Sequence, residues 1–277
     1  MTLAIGNRGA SRAMSASRLK RSSFRISTLV AALGYVFLLA PLLIVVPLSV
    51  GNPQQMVFPP TEFSATLYYQ YLSSAPWQSA TLQSLYVACG ATVIAVLVSV
   101  PAAYALVRFD LAAKPVISLL LLSPMLTPGV VMGLGLSLYF GTIGLLGSTV
   151  GLILAHATLV TPFVLIAAIG GFRHVDPNLE VAARIMGANT LTLFLKVLLP
   201  QIKTAVIGGA LLAFALSFDE VVIAYFLSGS TNPTLPVQMY STIRWEVSPI
   251  IAAVSTLLTA LSLIIALAMM RLQAAER

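Results

Sequence analysis

The sequence predicts an all-α integral membrane protein with six transmembrane helices and both termini in the cytoplasm. Three observations carry that prediction: overall apolarity, six long apolar runs, and the placement of lysine and arginine. Of 277 residues, 58% are hydrophobic and 8% charged, and the mean hydropathy is +0.97. A soluble domain carries about 25% charged residues, so lipid must serve as solvent for much of this surface. A crossing helix needs about 20 apolar residues, and runs near 29–50, 82–107, 116–140, 150–170, 205–227 and 250–270 meet that length. Each must satisfy its own backbone hydrogen bonds in lipid, which selects helices. The short alternating segments of a barrel do not occur.

Orientation follows from the basic residues. Arg8, Arg12, Arg18, Lys20, Arg21 and Arg25 precede the first run; Arg108 and Lys114 follow the second; Arg173, Arg184, Lys196 and Lys203 follow the fourth; Arg271 and Arg277 follow the sixth. Only Arg244 falls on the opposite side, so fourteen of the fifteen lie on the predicted cytoplasmic side. The net charge of +7 therefore reads as topology rather than as a nucleic-acid surface.

Taken in order, residues 1–27 form a basic tail predicted to be unstructured, able to touch anionic lipid. Residues 28–277 form the membrane domain. The first run reads as an uncleaved helix, because it is too long for a secretory leader. Trp77 and Trp245 fall near predicted outer interfaces, where indoles prefer to sit. Cys89, the single cysteine, reads as a small buried hydrophobe. The third run contains Pro124, Pro128, Gly129, Gly133 and Gly135, which favour bending and close helix contact. His156 in the fourth run reads as a packed, hydrogen-bonded side chain.

Between the fourth and fifth runs lies a polar island, about 171–204, that must face water or a partner. Asp176 and Pro177 are an N-cap and first-position proline for a short helix, with Glu180 in its first turn. Gly187 is placed to end that helix in a left-handed conformation. Asn189 or Thr190 is placed to cap the next helix, and Pro200 to kink or break the chain before the fifth run. Within that run, Asp219 and Glu220 sit together. Charges at mid-bilayer are costly, so the pair reads either as an interhelical tie or as the lining of a cation route.

The island resembles the "EAA" loop of permease subunits of binding-protein-dependent ABC importers. Ala182-Ala183, Gly187 and Leu199-Pro200 keep the family spacing, with Val197 at the isoleucine position. Val181 stands where the family has glutamate, with Glu180 one residue earlier. The stretch from Leu216 to Gly229, followed by Leu235-Pro236-Val237-Gln238-Met239-Tyr240-Ser241, resembles the spermidine/putrescine-type branch. Pro128-Gly129 departs from it, since many relatives follow the proline with an acid.

The resemblance implies a type I importer permease (MetI-like) in the bacterial inner membrane. It also implies a second homologous permease, two ATPase subunits and an external substrate-binding protein as partners. ATP and Mg would sit in the ATPases, and this chain would bind no cofactor of its own. It assigns Glu180, Val181, Ala182, Ala183, Gly187 and Pro200 to ATPase coupling, and Asp219, Glu220 and Tyr225 to the substrate path. Putrescine or spermidine is the implied cargo, with amino-acid-like, opine or phosphonate solutes as alternatives. No phosphate-binding loop or metal motif occurs in the sequence. A secondary transporter and a membrane scaffold are the competing classes.

Overall fold

The computed structural model describes residues 7–229, 232–245 and 248–274, with side chains described for 28–229, 232–244 and 248–272. Among these residues every regular element is helical. Helix α1 (Asn7–Ser49) begins inside the basic tail that the sequence reads as unstructured; the side chains of 1–27 lie outside the described residues. α2 (Thr66–Ser73) and the first turns of α3 (Ala75–Arg108) occupy the segment between the first and second predicted runs.

α3 packs along α6 (Thr149–His174), and both pack against α9 (Leu199–Phe218). Small side chains make that approach possible: Ala88, Ala91 and Ala95 of α3, Ala155 of α6 and Ala213 of α9 are completely buried. α1 lies against α12 (Ile250–Ala274) and leaves Leu33, Phe37 and Leu43 exposed, as a lipid-facing helix must. Five helices are long and apolar enough to cross a membrane, and a bent pair makes a sixth candidate.

That bent pair corrects the third predicted run. It is two helices, α4 (Lys114–Leu126) and α5 (Gly129–Thr142), meeting at 105°. Proline at 128 pushes the preceding residue out of the helical region, and Thr127 is indeed extended (φ −84°, ψ 128°).

The fifth predicted run is also not one helix. α9 stops at Phe218, and α10 (Val222–Leu227) starts afresh beyond the acidic pair. A Cβ on Gly133 of α5 would meet the Phe226 ring at 2.7 Å and the Ile223 Cα at 3.4 Å. Glycine there lets α5 lie directly on α10, so the parts beyond the two breaks pack on each other. The loop between α5 and α6 joins them, with Gly147 N donating to Leu227 O at 2.9 Å.

One smaller expectation changes. Cys89 is exposed on α3, not buried. Trp77 is buried among Tyr71, Phe218, Leu235 and Val254. The side chain of Trp245, at the end of α11 (Leu235–Trp245), lies outside the described residues.

Candidate functional site

The polar island folds as its local signals direct. α7 (Pro177–Ile185) starts with Asp176 accepting from Asn178 N at 2.9 Å. It ends with Gly187 at φ +86°, with Gly187 N donating to Arg184 O and Ala188 N to Ala183 O, both at 3.0 Å. That pair of bonds is a Schellman ending, which needs a left-handed residue and so selects glycine. Asn189 then caps α8 (Thr190–Thr192), accepting from Thr192 N at 2.8 Å.

Pro200 does not break the chain. It has no N–H to give to the carbonyl one turn back. The helix instead widens into a π segment, Leu193–Leu198, in which Leu199 N donates to Phe194 O. The chain therefore continues from α8 through the π segment into α9.

The coupling candidates separate into two faces of α7. Ala183 is buried in a cluster with Leu193, Leu198 and Phe172. Glu180 is also buried, 9% exposed, and points away from the open face. Its Oε1 pairs with Arg108 Nε at the end of α3, and its Oε2 accepts from Tyr104 Oη at 3.4 Å. Val181, Ala182 and Gly187 are exposed. Ile185 and Met186 are the most open of the loop's apolar side chains, at 82% and 81%. Arg108, read from sequence only as a topology marker, and the Ile185–Met186 pair are the residues that motif reasoning missed. Pro200 is exposed at the start of α9, apart from α7's open face.

The second candidate site is the break between α9 and α10. Glu220 accepts from the backbone N–H groups of Val222, Ile223 and Ala224 at 2.9, 3.0 and 3.0 Å. It takes up the donors that a helix start leaves free, and its charge faces the positive end of α10. His156 is completely buried beside it. Its Nδ1 is 2.9 Å from Ser217 Oγ, and its Nε2, without a hydrogen-bond partner among the described residues, is 3.9 Å from Glu220 Oε2.

Asp219 differs from its neighbour in every respect. It is exposed, and among the described residues its carboxylate has no protein partner. Tyr225, on α10, is 46% exposed and meets Tyr240 edge-to-face at 5.4 Å. Its hydroxyl accepts from Arg244 at 3.4 Å. Val221, Val222, Tyr225, Phe226 and Tyr240 line a cavity of about 290 Å³. Broken helix and irregular backbone are tolerated at membrane depth only inside protein or along a water-filled cavity. A partnerless carboxylate at such a break suits a cationic guest.

Residues 95–275 match the family model described as "Binding-protein-dependent transport system inner membrane component". The chain belongs to that family. It is a multi-pass permease component of the inner membrane. Among its relatives, the putrescine transport system permease protein PotI of Escherichia coli (strain K12) is 36% identical over 249 residues, covering 86% of each chain. The spermidine/putrescine transport system permease protein PotC of the same organism is 30% identical over 234 residues, covering 84% of this chain and 88% of that one. A chain from the crystal structure of a bacterial ABC transporter that imports the acidic polysaccharide alginate superposes with a TM-score of 0.76 at 19% identity, over 92% of this chain and 97% of that one. A chain of the inward-facing MetNI methionine ABC transporter superposes at 0.59 and 16% identity, over 74% of this chain and all of that one. At such identities these two structures speak for the fold alone.

Proposed function

We propose that this chain is one of two permease subunits of an ATP-driven ABC importer for a small organic cation, putrescine or spermidine. The observation that carries the substrate is the 36% identity to PotI across 86% of both chains. Asp219 at the α9–α10 break, exposed and without a partner among the described residues, supports it, because a dication needs fixed negative charge along its route. The aromatic walls at Tyr225 and Tyr240 add faces to which a cation is attracted.

In this reading both termini and the 171–204 loop are cytoplasmic, and all six spans cross the membrane. A second homologous permease completes the path, and an external binding protein delivers the solute. Two ATPase subunits bind ATP and Mg and grip the open face of α7, where Val181, Ala182, Ile185, Met186 and Gly187 are presented. ATP closure brings the loops of the two permeases together and opens the path outward, and hydrolysis resets it. This chain supplies the path and performs no hydrolysis.

The test is to purify the assembled complex in lipid with its binding protein and measure ligand-stimulated ATP hydrolysis. Putrescine or spermidine is expected to stimulate it. Stimulation by an amino acid, opine or phosphonate instead, with neither polyamine effective, would replace the substrate while keeping the importer. Uptake that persists without ATP and collapses with the ion gradient would replace the importer itself.

A further inference from the structure

α7 is held from two sides by different chemistry. On the α9 side the contact is apolar, through Ala183 against Leu193 and Leu198. On the α3 side it is polar and centred on one guanidinium. Arg108 pairs through Nε with Glu180, and its Nη2 donates to Val175 O at 2.8 Å, just beyond the end of α6. Both charged side chains are largely shielded, at 15% and 11% exposed. Tyr104, one turn earlier on α3, adds its hydroxyl to Glu180 and packs its ring against Phe109, Phe172 and Phe194 at 5.5–5.6 Å.

A shielded ion pair contributes little net stability compared with apolar packing, because desolvation offsets the attraction. It is directional, however, and the apolar side of α7 already fastens the loop to the bundle. α3 also runs from the loop to the start of α11. Ser84, 24 residues before Arg108, accepts from Leu235 N at the start of α11 at 2.8 Å. At 1.5 Å per residue that separation is roughly 36 Å. α11 in turn carries Tyr240, which meets Tyr225 on α10.

We infer that Glu180 and Arg108 are positioning residues that link α7 to α3, so that displacement of the loop by the ATPase is passed to the second span. Glu180 is thus an internal connecting residue rather than a contact for the ATPase. The inference rests on the importer reading above.

The test compares wild type, E180Q, R108Q, R108K and the double swap R108E/E180R in the assembled complex with its binding protein. Three quantities are read: co-purification of the ATPase, ATP hydrolysis, and putrescine taken up per ATP hydrolysed. A merely structural role lowers the amount of active complex and scales uptake and hydrolysis together. A linking role changes their ratio. E180Q and R108Q are expected to co-purify with the ATPase and hydrolyse ATP, while uptake per ATP falls roughly fivefold to tenfold, the scale on which single residues change coupling. R108K should lose less, and the swap should recover part of the ratio.

An unchanged ratio in E180Q and R108Q overturns the inference. So does loss of ATPase co-purification in both single variants and in the swap, since the pair is then a requirement of assembly. A wild-type complex that hydrolyses ATP but moves neither polyamine, responding to another solute, overturns only the substrate; the ratio is then read with that solute. A wild-type complex with no ATP-dependent uptake of any solute overturns the importer reading and this inference together.

Discussion

At residues 180 and 181 the chain turns a carboxylate inward, onto Arg108 and Tyr104, and presents valine outward. At 219 and 220 it again places adjacent residues on opposite duties, but the outward one is the acid. Asp219 stands exposed and, among the described residues, without a partner, while Glu220 is held by three backbone N–H groups of α10. In both places one acid is consumed by the fold. The difference lies in what the neighbour offers: an apolar surface on the loop, where the proposed ATPase would dock, and a negative charge at the break, on the proposed route of the cation. An acidic residue in a permease is therefore understood from its partners rather than from its position in a motif.

The sharpest way to break this contrast is at Asp219. Two unit charges about 4 Å apart at an effective dielectric near 20 attract by roughly 4 kcal/mol. D219N should therefore reduce polyamine uptake by at least about tenfold, with unaltered melting of the purified complex. Uptake equal to wild type removes Asp219 from the path. E220A should do the reverse in kind. It frees three backbone donors at the start of α10, and loss of a helix cap typically costs about 1–2 kcal/mol. Thermal melting in detergent should record that loss; E220A melting like wild type while uptake disappears would make Glu220 a path residue after all. The smallest effect is expected from V181E, which places the family glutamate on an exposed position. Permease stability should move by no more than about 0.5 kcal/mol, and any change should be confined to ATPase affinity, measured by titrating the ATPase against the reconstituted permease.

Much of this arrangement was legible in the residues. Apolar runs located the candidate spans because length and hydropathy are local properties. Asp176, Pro177, Gly187 and Asn189 marked the loop's helix ends because caps and left-handed glycines act within a few residues. The breaks were less accessible. A hydropathy window averages over Pro128 and does not register that it removes Thr127 from the helix. The fifth span stops because Glu220 caps the residues that follow it, a reading that competes with a tie between helices until the backbone is seen. The direction of Glu180 depends on Arg108, 72 residues away, and no spacing rule connects them. Cys89, read as buried, is exposed for a related reason. Burial in a membrane bundle depends on which face of a uniformly apolar helix meets its neighbours, and α3 is apolar all round.

The sealed break in the fifth span has a mechanical consequence. Bending a continuous helix in lipid strips backbone groups of their partners, and each such group costs several kcal/mol. Here the first three amides of α10 are already satisfied by a side chain that travels with them. A tilt of α10 relative to α9 about residues 219–221 leaves those three bonds intact. Beyond the break, α10 is thus held by packing against α5 and by the Gly147 N–Leu227 O bond rather than by a continuous helix through residues 219–221.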